Sequence, residues 1–402
     1  MEKTIPGKAR FTVILIMGLL TAIGPLSIDM YLPAFPDIAR HLHTDISRVT
    51  LSLSSFFIGI SAGQLLYGPL LERFGRKPPL YVGLILYLFA SIGCALSGSV
   101  QQLIVFRLFQ ALGGCAGMVA ARAMVRDLFD VHQNARIFSL LMLVVSVSPI
   151  IAPALGGYIT AAWGWRYVFA ALILVILLIL AGTYYYLPES KSPNPAYSLK
   201  PIPILRDFAS VLKHPQFITY ALTGAISYAG MYAYLGGAPY VFMDLYRVTA
   251  AGFGWIFAII AAGLIGSSQL NNIALNHFSS AAIIRIASLA QTLTGLLFTT
   301  LVLTGHIQLY STVLLLFLFL CCQGFIFPNA TALALAKLGH SAGNASGLIG
   351  AIQMTIGAGA SALIGLLQNT SAFPMAAVMT GCALTAFLVF TWSRRMLLQK
   401  KN

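Results

Sequence analysis

The chain has 402 residues, of which 58% are hydrophobic and only 8% charged. Soluble globular proteins carry about 25% charged residues, so this composition excludes a water-soluble enzyme or binding module and describes a protein embedded in a bilayer. The formal net charge of +14 does not make a nucleic-acid surface, because the basic residues sit in the joints between apolar windows, where they report topology.

About twelve apolar windows of ~20 residues recur down the chain, each long enough to cross a bilayer as a helix. Alternating the joints between two sides gathers Lys3, Lys8, Arg10, Arg73, Arg76, Lys77, Arg122, Arg126, Arg136, Lys191, Lys200, Arg206, Lys213, Arg285, Lys337, Arg394, Arg395, Lys400 and Lys401 on one side, against Arg40, Arg48, Arg166 and Arg247 on the other. Positive charge accumulates on the cytoplasmic face of membrane proteins, so both termini are expected in the cytoplasm.

The first window runs from Phe11 to Leu32 and contains one ionisable residue, Asp29. A carboxylate there costs a few kcal/mol on insertion scales, which makes it a functional candidate by default. The window is too long for a signal-peptide core and is expected to remain in the protein. The following loop, residues 36 to 48, holds Asp37, His41, His43 and Asp45 and reads as solvated exterior loop.

The second window ends in Gly68-Pro69-Leu70-Leu71-Glu72-Arg73-Phe74-Gly75-Arg76-Lys77-Pro78, a tight turn carrying a basic cluster. The fourth contains Arg107 and Gln110 among apolar residues. A buried guanidinium needs a carboxylate or several carbonyls around it. Arg107 and Asp29 sit at similar depth below the outer surface, about six residues or ~9 Å, which allows an ion pair or a water-bridged pair. After the fourth window come Arg122, Arg126 and Asp127; Glu72 or Asp127 is expected to join the basic residues of both joints in a charge network. The fifth window carries Pro149, Pro153, Gly156 and Gly157, where proline bends a helix and glycine admits a close neighbour.

Residues 188–214 form the one long polar stretch and read as a linker between halves at 1–187 and 215–402. The halves echo one another: Tyr31-Leu32-Pro33-Ala34-Phe35-Pro36 against Tyr234-Leu235-Gly236-Gly237-Ala238-Pro239, and Gln110-Ala111 against Gln323-Gly324. The second half lacks counterparts of Asp29 and Arg107 and offers Tyr228, Tyr232, Tyr234, Trp255, Gln323, Asn329 and Gln353 instead. With Tyr31 and Gln110 these are candidates to line a mostly apolar cavity with a few polar anchors. The five cysteines fall inside the windows and are expected as free thiols, and no Cys or His spacing suggests a metal. The ten acids are scattered, which argues against a membrane-embedded transferase needing convergent groups.

The turn from Gly68 to Pro78, with Glu72 in place of the usual Asp, resembles the loop between helices two and three of the major facilitator superfamily. Arg107 with Gln110 resembles its helix-four pattern, with Ala111 for Gly. Pro149 to Gly157 resembles the helix-five signature of its drug exporters, with Ala152 for Gly. Asp29 to Pro36, Arg122 with Arg126-Asp127-Leu128-Phe129, and Gly343 to Gly350 narrow the resemblance to twelve-helix drug:proton antiporters of the Bcr/CflA type. The resemblance implies an all-α membrane protein of two pseudo-symmetric six-helix bundles, monomeric, in a bacterial inner membrane. It implies efflux of drug-like or amphipathic small molecules driven by inward proton flow through Asp29 and Arg107, with no cofactor. A dedicated exporter of one metabolite, such as a siderophore or amino acid, is the alternative on the same residues.

Overall fold

Apolar stretches that must satisfy their backbone polar groups without water have one open-ended solution, the α-helix, and the chain adopts it throughout. The computed structural model describes residues 7–129, 131–195, 199–338, 342–367 and 371–399. Lys3, Lys400 and Lys401 lie outside the described residues.

The first half holds α1 (Gly7–Asp29), a 3-10 turn (Leu32–Ala34), α2 (Phe35–His41), α3 (Ile46–Phe74), α4 (Lys77–Leu96), α5 (Val100–Leu128), α6 (Val131–Trp163) and α7 (Arg166–Tyr186). The short α8 (Pro201–Leu212) follows. The second half holds α9 (Pro215–Ala238), a π-helical turn (Pro239–Leu245), α10 (Ala250–Ala274), α11 (Ser280–Leu303), α12 (Leu309–Leu335), α13 (Ala342–Leu367) and α14 (Phe373–Gln399). Among the described residues, eleven stretches are long and apolar enough to span a membrane. The long helix missing from that set is α9, whose 24 residues include Thr219, Thr223, Ser227, Tyr228, Tyr232 and Tyr234. It packs against α12, α13, α14 and α3. A helix wrapped by other helices faces little lipid and has no need of a lipophilic surface.

Within the first half α5 packs on α3, α4 and α1, and α1 also packs on α6 and α7. Small residues bring the axes close: a Cβ on Gly113 of α5 would fall 2.5 Å from the Gly83 carbonyl of α4. Within the second half α12 joins α9, α10 and α11 in the corresponding way. The halves meet along α3–α13 and α6–α10.

One expectation needs correction. The loop after the first window is partly folded into the protein: Ile38 is fully buried in α2, and Asp37 accepts the Trp165 backbone N–H at 3.1 Å. The polar linker contains α8 and is tied along the Gly68–Pro78 turn. The five cysteines are free thiols, as expected.

Candidate functional site

Arg107 is fully buried in α5. Its Nη1 donates to Gln110 Oε1 at 2.6 Å and its Nη2 to the Ser27 carbonyl at 3.1 Å. The guanidinium lies between two rings, 4.0 Å from the centre of Phe56 and 4.4 Å from that of Tyr31. Each such contact is worth about 2 kcal/mol when desolvated, which offsets part of the cost of the buried charge. The surroundings are braced in turn: Gln110 Nε2 donates to Ser91 Oγ at 2.8 Å, Ser27 Oγ meets Tyr87 Oη at 2.6 Å, and Tyr31 Oη meets Ser52 Oγ at 2.7 Å.

Asp29 is the last residue of α1 and is 5% exposed. Among the described residues it forms no ion pair, so the pairing with Arg107 is not made. The reason is angular. Ser27, which presents its carbonyl to Arg107, lies two residues before Asp29, and two residues turn an α-helix by about 200°. Asp29 faces the other half, within electrostatic range of the Tyr228 and Tyr234 hydroxyls of α9. Tyr234 Oη is buried without a hydrogen-bond partner.

Around this acid the halves are shut. Thr50 Oγ1 donates to the Gly236 carbonyl at 3.1 Å, Ser54 Oγ to Ser361 Oγ at 3.0 Å, and Ser61 Oγ to the Ala351 carbonyl at 3.0 Å. Phe57 of α3 packs on Tyr232 of α9 with ring centres 4.5 Å apart. On the other flank the two fifth-window glycines permit backbone contact. A Cβ on Gly156 would lie 2.0 Å from the Met30 carbonyl oxygen, and one on Gly157 would lie 2.8 Å from that of Ala250. Pro153 and Ala154 pack on Gly254 in the same crossing.

Beyond Ser61, toward the end of α3 that carries the basic turn, the halves part around a cavity of about 190 Å³. It is lined by α3, α5, α8 and α13, including Gln64, Gly68, Glu72, Arg76, Arg122, Arg126, Phe208 and Ser346. At its edge the expected charge network is present. Arg76 donates to Asp127 at 2.7 and 3.2 Å and to Glu72 at 3.0 Å, while Lys191 pairs with Glu72. Burial alone would lower the Arg76 guanidinium, but Asp127 and Glu72 outweigh it and hold Arg76 above the ordinary arginine value. Arg122 and Arg126 face the cavity and take no part in these ion pairs.

The linker's share in this network was not foreseen. Glu189 accepts the Arg76 and Lys77 backbone N–H groups at 2.8 and 2.9 Å, capping α4. Ser190 Oγ donates to Asp127 at 2.9 Å, and Arg73 Nη1 donates to the Pro195 carbonyl at 2.7 Å. Gly75 turns the chain at φ +84° beneath Glu189. A carboxylate at a helix N-terminus is worth about 0.5–2 kcal/mol. Glu189→Ala is therefore expected to lower the midpoint of thermal unfolding and to speed tryptic cleavage at Lys191, both measured on the purified protein.

The aromatic and amide residues expected at a cavity are placed differently. Trp255 is 71% exposed on α10 and points away from the interior. Tyr31 and Gln110 belong to the Arg107 cluster. Gln323 is fully buried with Ser227 and Gln291: Ser227 Oγ lies 2.7 Å from both amide oxygens, and Gln291 Nε2 donates to Gln323 Oε1 at 3.0 Å. This neutral cluster joins α9, α11 and α12 as Ser27, Ser91 and Gln110 join α1, α4 and α5. Asn329 donates to Asn271 Oδ1 at 2.6 Å. Tyr228, Tyr232, Tyr234 and Gln353 lie between the halves or near Asp29, beyond the cavity lining. Ser227 and Gln291 were legible as polar residues inside apolar windows.

Comparison with known proteins agrees with this architecture. The family model described as Major Facilitator Superfamily matches residues 17–362. The chain is 34% identical over 393 residues to the MFS-type transporter YdgK of Bacillus subtilis, covering 96% of each. It is 30% identical over 385 residues to a bicyclomycin resistance protein homolog of Haemophilus influenzae, covering 95% of this chain and 96% of the relative. Multidrug resistance protein D of Escherichia coli is 26% identical over 384 residues, with 94% of each covered. A POT family transporter superposes with TM-score 0.77 at 13% identity, covering 98% of this chain and 96% of that one.

Proposed function

Because this chain belongs to the Major Facilitator Superfamily and is a secondary transporter, we propose that it exports drug-like or amphipathic small molecules in exchange for protons. The bicyclomycin and multidrug resistance names of its relatives support that reading. So does a buried acid set between two halves that are shut on its side and parted on the other. The basic end is the cytoplasmic face of a bacterial inner membrane, with both termini there and a monomer as the working unit. Residues 1–187 and 215–402 are the rocking bundles and 188–214 the tether.

The observation that carries the reading is the position of Asp29. A charged carboxylate is costly in that dry seam. The outer seal therefore forms most readily when Asp29 carries a proton, taken up when the seam is open to the outside. With the seal shut, the cavity admits substrate from the cytoplasm. The proton then leaves inward, and the recharged acid favours reopening to the outside, where substrate departs. Arg107 holds the C-terminal end of α1 to α5 through the Ser27 carbonyl. The Glu72–Arg76–Asp127–Lys191 network lets the basic turn move as one piece with α3, α4 and the linker.

The test is transport in proteoliposomes with an imposed pH gradient, over a panel of amphipathic compounds. Accumulation that builds with the gradient and collapses with a protonophore supports antiport. Equal movement with and without the gradient refutes it.

A further inference from the structure

Among the described residues, the cavity at the basic end carries more positive charge than its acids neutralise. Its ionisable lining residues among those described are Glu72, Arg76, Arg122 and Arg126. Glu72 and Arg76 pair with one another, and Asp127 and Lys191 add one charge of each sign to that pair. Arg122 and Arg126 remain. Among the described residues neither forms an ion pair or a hydrogen bond. They stand four residues apart on α5, so they share one face of the helix. Each lies in the electrostatic range of the other, and an anion between them would relieve that repulsion. The rest of the lining is largely apolar, with Leu65, Met118, Val119 and Phe208.

An apolar pocket with two uncommitted guanidiniums on one wall has a defined complement. Guanidinium forks match carboxylate, sulfonate and phosphate oxygens, and the apolar wall takes a hydrocarbon or aromatic body. We propose that Arg122 and Arg126 form an entry station that reads an acidic group, so that the preferred cargo is an amphipathic organic anion and cationic amphipaths are disfavoured. This rests on the export reading above and names its substrate class. It also adds to the energetics: exchanging an anion outward for a proton inward moves two charge equivalents, so an inside-negative potential drives export together with the pH gradient.

A phospholipid head group presents the same oxygens, and the test separates the two sources. The full chain in phosphatidylcholine nanodiscs is titrated with three probes sharing one naphthyl body: 1-naphthaleneacetate, its primary amide, and 2-(1-naphthyl)ethylammonium. No proton gradient is applied, so the outcome is independent of antiport. The carboxylate is expected to bind about tenfold tighter than the amide, and the ammonium weakest. In the Arg122→Gln/Arg126→Gln variant the carboxylate-to-amide ratio falls to near one; in the Arg122→Lys/Arg126→Lys variant most of it remains. Should the double glutamine variant not fold, Arg126→Gln alone, at an exposed position, must still lower the ratio. Amide or ammonium binding as tight as that of the carboxylate in the unmodified protein overturns the proposal, as does absence of binding. Survival of the ratio without the two arginines also overturns it. Loss of the ratio when phosphatidylglycerol is added to the nanodisc assigns the station to lipid and overturns it as a cargo site.

Discussion

Asp29→Asn is expected to uncouple transport from the proton gradient while leaving the fold intact. Asparagine keeps the shape of the protonated acid and cannot ionise. It suits the dry seam beside Tyr228 and Tyr234 at least as well as Asp29 does, so insertion, yield and monodispersity should match the unmodified protein. The transport cycle loses its charged state. One pH unit is worth about 1.4 kcal/mol, which for one proton per substrate sustains about a tenfold concentration ratio. In proteoliposomes that ratio should fall toward one in Asp29→Asn. The same substitution should bias the protein toward the arrangement described here, sealed at the Asp29 end, because the cost of burying a charge is gone. Accessibility of engineered cysteines on the two sides of the seam measures that shift.

The largest effect on stability is expected at Gly156. A Cβ there falls 2.0 Å from the Met30 carbonyl oxygen and 2.7 Å from its carbonyl carbon and Cα. These are backbone atoms and cannot rotate aside, so α1 and α6 must separate just beyond Asp29. Overpacking of this kind typically costs about 1–3 kcal/mol. Gly156→Ala should therefore lower the thermal unfolding midpoint clearly and reduce transport. Gly68 is the contrasting position. A Cβ there meets nothing within 4 Å, because it borders the open cavity. Gly68→Ala should leave the unfolding midpoint nearly unchanged; any loss of transport would then arise in the arrangement where the basic end closes. A large destabilisation by Gly68→Ala together with a silent Gly156→Ala would contradict the packing described at these two positions.

Length and polarity in the sequence were enough to find the helices, the basic turn and the two buried charges. Each depends on distance along the chain or on the cost of burying a group. The partnership of those charges was not legible. Depth can be counted in residues from a helix end, but the direction a side chain takes around the axis depends on where the neighbours pack. Asp29 and Arg107 have the depth to meet, yet α5 contacts the face of α1 that bears the Ser27 carbonyl. The contacts of the 188–214 stretch were not legible for a different reason. Glu189, Ser190 and Lys191 form no periodic pattern; Glu189 and Lys191 meet a turn more than a hundred positions away and Ser190 meets Asp127 at the end of α5. Trp255 shows a third limit: an aromatic residue in a spanning helix fits lipid as well as a cavity, and composition alone does not choose.

The coupling role of Asp29 is tested most directly by substrate-induced proton release from the purified protein in weak buffer. A transported compound from the panel should release protons from the unmodified chain. In Asp29→Asn the same compound should still bind, with no release. Equal release from the two proteins would show that another group carries the proton and would contradict the mechanism built on Asp29.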